Sequence, residues 1–226
     1  MAGETPSPGS AHWMAHSDAR DRKVFPPLDT KLPLRRIIHE PTRFKESLRD
    51  ILSSRVRRAE DDPSLTCAAV LVPMVFRDGE WHVVVTKRTQ HVEHHRGQVS
   101  FPGGACEADD VDLQATALRE TFEEVGISPD RVEVLGILDD FRTITGFVVT
   151  PFVAIILHPF DYRLEAREVE SVLEVPLSFL LDPGSSRVES REHEGRLFQV
   201  LFWDYGSYTI WGATAQILKG LLDLLD

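Results

Sequence analysis

The sequence predicts an α+β fold built on a mixed β-sheet. Segments of β-rich composition outnumber helical patterns, and most of them pair as hairpins, which together predict this class. The chain has 226 residues, of which 42% are hydrophobic, enough for one domain with a full core plus an extension. We assign residues 1–35 to a mostly disordered N-terminal tail or an arm that lies on the domain, because Pro, Ser, Asp and basic residues dominate there, and residues 36–226 to the domain.

The first half of the domain is expected to place a hairpin between two helices. The predicted elements are a helix from Pro41 to about Arg57, strands over 66–76, 81–87 and 98–101, and a helix from about Val111 to Val125. The Asp78-Gly79 pair favours a tight turn between the first two strands. Gly126 is typical of a residue that ends a helix.

The second half is expected to contribute more strands than helices. The predicted elements are strands over 132–138, 147–157 and 170–175, a short helix over 176–181, a hairpin of 187–192 with 197–203, and a final helix over 210–225. This alternation without internal repeats agrees with a single α+β domain.

The composition limits the classes of partner. A formal net charge of −11 argues against a broad nucleic-acid surface, which needs a basic face. A small anionic substrate remains compatible, since a bound metal ion and local arginines reverse the sign of the charge inside a cleft. We therefore expect a small-molecule substrate and no nucleic acid, and the oligomeric state stays open.

The sequence favours a cytoplasmic protein. Cys67 and Cys106 lie far apart and form no CxxC pair, so neither a zinc site nor a redox pair is expected, and a reducing compartment fits. No apolar run approaches the roughly 18 residues that span a bilayer, and no signal-peptide core opens the chain. We expect no membrane partner.

Three carboxylates share one turn of the helix over 111–125. With about 100° per residue, Glu120, Glu123 and Glu124 fall on one side, and a second face opposite them carries apolar residues and is predicted to be the core face. The predicted core residues are Val111, Ala115, Leu118, Phe122 and Val125. Arg119 lies four residues before Glu123 and is placed to brace it. An acidic cluster of this kind is often only a solvated face, but it also suits a hard divalent cation shared with substrate phosphates.

These residues resemble the signature of the Nudix hydrolases. The family pattern is matched by Arg119-Glu120, Glu123-Glu124, Gly126 and Ile127, with Thr121 in place of an aliphatic residue. Fourteen residues separate Gly104 from Arg119, one more than the family pattern has. The first acidic position therefore falls on Asp110 when counted from Gly104 and on Val111 when counted from Arg119, which leaves Asp110 and Asp112 as its substitutes.

A second motif is similar to that of the coenzyme A pyrophosphatase branch of this family. It comprises Thr86-Lys87-Arg88, Val92, His95, Gly97-Gln98-Val99 and Phe101-Pro102-Gly103-Gly104. The resemblance extends over roughly residues 40–226 and implies a Nudix α/β/α sandwich. It further implies hydrolysis of coenzyme A or acyl-CoA to 3′,5′-ADP and 4′-phosphopantetheine, with Mg²⁺ or Mn²⁺ as cofactor.

The same resemblance implies a set of site residues. Glu120 and Glu124 are the expected metal ligands, with Glu123 as a third ligand or a neighbour of the ligands. The expected catalytic residues are Glu120, Glu123, Arg119 and, as general base, Glu168. Glu168 lies in a later loop with Glu165, and a solvated loop acid is the competing interpretation. The expected substrate-binding residues are Arg88, Lys87, His95, Phe101, Gly103 and Gly104. Arg88 and Lys87 also end a strand that points toward the glycine turn, where an arginine fork suits a phosphate, and a solvent-facing pair is the competing interpretation.

Other residues have a less specific interpretation. His91, His94 and His95 have the spacing of a metal cluster only on a helix, whereas Gly97 and the adjacent strand favour a loop. Arg96 and Arg142 are weaker substrate candidates, and Phe147, Trp203 and Trp211 are expected in the core rather than under an adenine ring.

Two alternative functions stay open. One is a Nudix enzyme for another nucleoside diphosphate derivative such as NADH, ADP-ribose or an oxidised nucleotide. The other is a Nudix fold used only for binding, which the complete set of three glutamates opposes.

Overall fold

Two β-sheets and four α-helices make up the described part of the computed structural model, which covers residues 33–90, 97–193 and 195–226. These residues belong to one compact unit, Lys31–Asp226. The helices are α1 (Pro41–Ser54), α2 (Leu113–Val125), α3 (Leu177–Leu181) and α4 (Gly212–Leu222). The strands are β1 (Thr66–Arg77), β2 (Glu80–Arg88), β3 (Val99–Ser100), β4 (Gly103–Ala105), β5 (Val132–Ile137), β6 (Phe141–Arg142), β7 (Phe147–Ile156), β8 (Val169–Pro176), β9 (Ser186–His193), β10 (Arg196–Tyr205) and β11 (Tyr208–Trp211).

The larger sheet is mixed, as the sequence predicts. Its main path runs β3-β2-β1-β7-β5, with β4 on β1, β6 on β7 and β8 on β2. The pairing of β1 with β7 is parallel, and the other pairings are antiparallel. A second, antiparallel sheet has the order β11-β10-β9.

The turn between β1 and β2 is the two-residue hairpin turn expected from Asp78-Gly79. Arg77 pairs with Glu80, and both turn residues have positive φ, 53° for Asp78 and 84° for Gly79. Two successive positive φ values define the turn that matches the twist of antiparallel strands. The register of the long central strand is therefore set locally.

Helices cover both faces of the larger sheet, which confirms the α/β/α sandwich. On one face, Phe44 and Leu48 of α1 and Leu218 of α4 join the largest apolar cluster with Val72 and Val83 of the sheet. On the other face, α2 packs through two smaller clusters. None of the helices in the described ranges is long and apolar enough to cross a membrane.

Most predicted elements are present, and three strands were missed. The strands β4, β6 and β11 are two to four residues long, too short to show a hydrophobic period. The tail predicted over 1–35 lies outside the described residues up to residue 32, and Leu34, near its end, is buried in the core.

The prediction that the two cysteines form no redox pair is wrong. A disulfide joins Cys67 to Cys106, with the Cα atoms 5.5 Å apart. Spacing in sequence could not show this, because the pairing depends on β1 and β4 lying side by side. The Cys106 N–H donates to the Cys67 carbonyl over 3.0 Å, one residue beyond the last paired residues of the two strands.

Candidate active site

The helix α2 is delimited by its own end residues. Asp112 is the N-cap, and its side chain accepts a hydrogen bond from the Ala115 N–H over 2.7 Å. Gly126 ends the helix in the left-handed conformation, with φ 74°, and its N–H donates to the Phe122 carbonyl. The observed start at Leu113 is two residues later than expected because Asp112 caps there.

The predicted division of α2 into a core face and an opposite acidic face is wrong in part: Val125 is buried and Leu118 packs against an apolar cluster, as predicted. Val111 and Phe122 are 89% and 52% exposed, whereas Ala117, Thr121 and Glu124 are buried. The sheet lies on the side that carries Glu124, so small and polar residues fill the contact and the carboxylates point to its margin. Of the five apolar residues that the sequence placed on the core face, Val111 and Phe122 face solvent instead.

Arg119 connects the acids of the site. Its Nη1 donates to Glu120 Oε1 over 2.9 Å and to Glu123 Oε2 over 3.2 Å. Its Nε and Nη2 donate to the two oxygens of Asp110, each over 3.0 Å. The expected brace between Arg119 and Glu123 is thus one part of a larger clamp, which offsets like charges on one helical turn.

Asp110, one of the two candidates for the first acidic position, is held by Arg119 and its neighbours. Besides its two bonds from Arg119, its Oδ2 accepts from the Glu107 N–H and from Thr116 Oγ1. These hydrogen bonds, above all those from Arg119, hold the pKa of Asp110 far below its ordinary value. The neighbouring candidate, Asp112, caps the helix instead.

Arg88 links α2 to the later loop. Its Nη1 donates to Glu124 Oε1 over 3.0 Å, and its Nη2 lies 3.6 Å from Glu168 Oε2. The backbone supports this arrangement, since Thr89 N–H donates to the Glu168 carbonyl and Glu165 N–H donates to the Glu124 carbonyl. The predicted loop acid is therefore next to the predicted acidic helix.

Burial perturbs two of the acids. Glu124 is 3% exposed, and desolvation raises its pKa to about 7 against the attraction of Arg88. Desolvation also raises the pKa of Glu120, opposed by the hydrogen bond from Arg119. Strongly perturbed carboxyl groups of this kind are frequent at catalytic sites.

The two glycines before α2 allow close contact. A Cβ on Gly104 would lie 2.5 Å from the carboxyl carbon of Glu120. Gly103, with φ 151°, packs so closely on β1 that its Cβ would lie 2.6 Å from Val70 Cα. Both positions exclude a side chain, and Glu120 owes its place above β4 to Gly104.

The other predicted substrate residues are not all at this site. Lys87 lies 3.8 Å from Glu170 and packs its ammonium over the Tyr208 ring, and among the described residues it forms no ion pair with the acids of α2. Phe101 is 3% exposed and belongs to the main core cluster, so its predicted contact with substrate is replaced by a packing role. His95 lies outside the described residues, as do His91, His94 and Arg96.

The aromatic residues follow expectation in part. Trp203 is buried and Phe147 packs against the core, as predicted. Trp211 is 43% exposed and stacks on Phe202, so its predicted core position is wrong. Arg142 pairs with Asp62 over 3.0 Å.

The carboxylates of α2 are suitable ligands for a divalent metal ion, but their oxygens are not already arranged around one position. Within the described ranges, no group of three or more His, Cys, Asp or Glu side chains is arranged to hold a metal ion. Instead, Glu120 and Glu123 bind Arg119. Two buried atoms of the site, Glu124 Oε2 and Arg88 Nε, have no hydrogen-bond partner among the described residues. A buried carboxylate oxygen without a partner is costly, and a bound cation would satisfy it.

Comparison with known proteins identifies one family. Residues 65–185 match the NUDIX domain. The "Uncharacterized Nudix hydrolase NudL" of Enterobacter sp. (strain 638) is 43% identical over 157 residues, covering 68% of this chain and 80% of that protein. The protein of the same name from Salmonella paratyphi B is 42% identical over 154 residues, with the same coverage.

Solved structures give weaker matches. A MutT/nudix family protein from Enterococcus faecalis has a TM-score of 0.47 and 16% identity, covering 82% of this chain and 71% of its own. A C. elegans Ap4A hydrolase binary complex has a TM-score of 0.44 and 19% identity, covering 52% of this chain and 84% of its own.

Proposed function

Because the chain belongs to the Nudix hydrolase family, enzymes that act on pyrophosphate bonds, we propose that it cleaves the diphosphate linkage of coenzyme A or acyl-CoA. The products are 3′,5′-ADP and 4′-phosphopantetheine or its acylated form. Mg²⁺ or Mn²⁺ is the proposed cofactor. Residues 36–226 are the proposed catalytic domain, and the proposed location is the cytoplasm.

The contact of Arg88 with both Glu124 and Glu168 carries this proposal. Arg88 belongs to the motif that resembles the coenzyme A branch, and it meets the acids of the general family signature. Its Nε–H has no hydrogen-bond partner among the described residues. A guanidinium with an unused donor suits a phosphate oxygen. Arg88 thus connects the coenzyme A branch motif with the acids of the Nudix signature.

Glu120, Glu124 and Glu123 are the residues that would hold the metal ion. Glu124 Oε2 is the buried oxygen without a partner, and Glu120 lies one turn before it. A bound divalent ion would neutralise charge on the diphosphate oxygens. Asp110 and Arg119 keep Glu120 and Glu123 in place, since Arg119 donates to both and is itself fixed by Asp110.

Glu168 is the proposed general base. Its carboxylate is 48% exposed, so water reaches it, while Arg88 keeps it beside Glu124. Glu168 takes a proton from a water molecule as the water oxygen attacks phosphorus. The bond between that phosphorus and the bridging oxygen breaks, and the departing phosphate carries the electron pair. Arg88 binds the diphosphate and stabilises the charge that develops.

A substrate panel tests the proposal. The full-length protein is incubated with Mg²⁺ or Mn²⁺ and, separately, CoA, acetyl-CoA, NADH, ADP-ribose and 8-oxo-dGTP, and the products are identified by mass. We expect the highest kcat/KM for CoA or acetyl-CoA, with 3′,5′-ADP as the common product. If CoA were the poorest substrate, the assignment to this branch would be wrong while the family would stand.

A further inference from the structure

The disulfide between Cys67 and Cys106 lies at the attachment of the catalytic turn to the sheet. Cys67 is at the start of β1, and Cys106 directly follows β4, the strand that contains Gly103 and Gly104. Cys67 is exposed and Cys106 is half-buried, so the bond joins residues at the protein surface. The bond is therefore next to the candidate active site.

The strand β4 is paired with one strand only. Its three residues pair with Ala68, Ala69 and Val70 of β1, and it has no second partner strand among those described. On its other side it contacts α2, where the Ala105 carbonyl accepts from Arg119. The disulfide closes the end of the pairing with β1.

The residues after Cys106 lead directly to the clamp on the acids. The Glu107 N–H donates to Asp110 Oδ2 over 2.9 Å, and Asp110 binds Arg119 through both carboxylate oxygens. Arg119 Nη2 also donates to the Ala105 carbonyl over 3.2 Å, and Arg119 Nη1 holds Glu120. A shift of residues 105–110 therefore moves the side chain that positions the catalytic acids.

We propose that Cys67–Cys106 is a redox-sensitive brace of the active site, which thiol reductants open. Opening it loosens residues 103–110, displaces Asp110 and Arg119, and lowers catalysis. The proposal uses the acid cluster as the catalytic site, and it does not depend on which diphosphate is cleaved.

The reaction is a two-electron exchange with a dithiol. A thiolate of the reductant attacks the Cys67 sulfur, the bond between the two cysteines breaks, and Cys106 leaves as a thiolate that takes a proton from water. The second thiolate of the reductant attacks the mixed disulfide and releases Cys67. The reductant is oxidised to its cyclic disulfide, and the protein gains two thiols.

The experiment compares the oxidised full-length protein with the protein reduced by dithiothreitol under native conditions. Alkylation and mass measurement count the thiols, hydrogen exchange follows residues 103–110, and Mn²⁺ titration measures metal affinity. Activity is assayed with whichever substrate of the panel is cleaved best. We expect faster exchange in 103–110 and a loss of kcat of about 3- to 10-fold, since small displacements of catalytic groups are costly. Both changes should reverse on reoxidation.

The double variant Cys67→Ser/Cys106→Ser is the matched control. It should resemble the reduced protein in exchange and kcat, and it should not respond to dithiothreitol, which separates loss of the bond from metal chelation by the reagent. Unchanged exchange after confirmed reduction, or a bond that is reduced only when the protein unfolds, would overturn the proposal. If no panel substrate is cleaved, the proposed function fails, whereas exchange and Mn²⁺ affinity still test the brace.

Discussion

Arg88 and Glu124 form an ion pair between the end of β2 and the sheet-facing side of α2, with 3.0 Å between Nη1 and Oε1. The two residues are 36 positions apart in sequence, and the carboxylate is almost fully buried. Burying a charge is costly unless it is paired, and Arg88 supplies the pair while also reaching Glu168. An ion pair thus joins β2 to α2 at the proposed catalytic site.

The substitution Arg88→Lys should separate charge from shape. Lysine keeps the positive charge but lacks the fork that contacts two carboxylates at once. We expect kcat/KM to fall by about 10- to 100-fold, measured by steady-state kinetics with the best panel substrate. Lys87→Gln is the neighbouring comparison, since Lys87 contacts Glu170 and Tyr208 instead. A larger effect of Lys87→Gln would contradict the assignment of Arg88.

Replacing Glu120 with Gln tests the proposed ligand set. We expect a loss of kcat of about 100-fold or more, because a neutral amide is a poor ligand for Mg²⁺. The fold should survive, since burial already disfavours the charged form of Glu120 and raises its pKa. Thermal unfolding and Mn²⁺ titration of the same sample check this. Activity within about tenfold of wild type would rule out the ligand set.

The sequence predicted the parts of the site that depend on local spacing. The acids of α2, the Gly126 stop and the brace of Arg119 on Glu123 all lie within one helix, so a helical period is enough to place them. Glu168 was found through resemblance, and Arg88 through resemblance and its position at the end of a predicted strand. Their contact needs β2, α2 and the later loop to meet in space.

Each error in the predictions concerns a feature that the local spacing of residues does not determine. Val111 and Phe122 were assigned to the core by hydrophobicity, although a helix beside an active site turns polar residues toward the sheet. Cys67 and Cys106 were judged by distance in sequence, although strand pairing brings them together. Asp110 could not be distinguished from Asp112 by counting, because the loop before α2 is one residue longer than the family pattern.

Glu168→Gln tests the assignment of the general base. We expect kcat to fall by about 10²- to 10⁴-fold, because the proton acceptor is lost. Glu165→Gln is the matched control in the same loop, where the Glu165 side chain only accepts from the Arg167 N–H. Equal effects of the two substitutions would show that the negative charge of the loop matters, rather than a single residue that acts as the general base.

Asp110→Asn and Asp112→Ala separate positioning from helix capping. Asp110→Asn weakens the clamp on Arg119, so we expect kcat to fall by about 10- to 100-fold, as for residues that orient ligands. Asp112→Ala should lower the unfolding free energy by about 1 kcal/mol, while the folded enzyme keeps most of its kcat. Urea unfolding and kinetics on both variants decide. The reverse pattern would assign the first acidic position to Asp112.

Glu124 predicts a stability that depends on pH in the absence of metal. Its pKa is about 7 in the folded protein and near 4.5 when unperturbed, so the folded state binds more protons between these values. Stability therefore falls as pH rises from about 4.5 to about 7. Glu124→Gln removes this dependence, and relative to wild type it should gain roughly 2 to 3 kcal/mol more at pH 8 than at pH 5.

Urea unfolding in EDTA at the two pH values measures the difference. The attraction of Arg88 for the ionised Glu124 is already contained in the pKa of about 7, so only the pH-independent part of the lost contact cancels between pH 5 and pH 8. Glu123→Gln is the comparison on the same helical turn, because the Glu123 side chain is 56% exposed, and its effect should differ less between the two pH values than that of Glu124→Gln. A pH-independent difference for Glu124→Gln would mean that Glu124 is ionised throughout, held by Arg88 despite its burial.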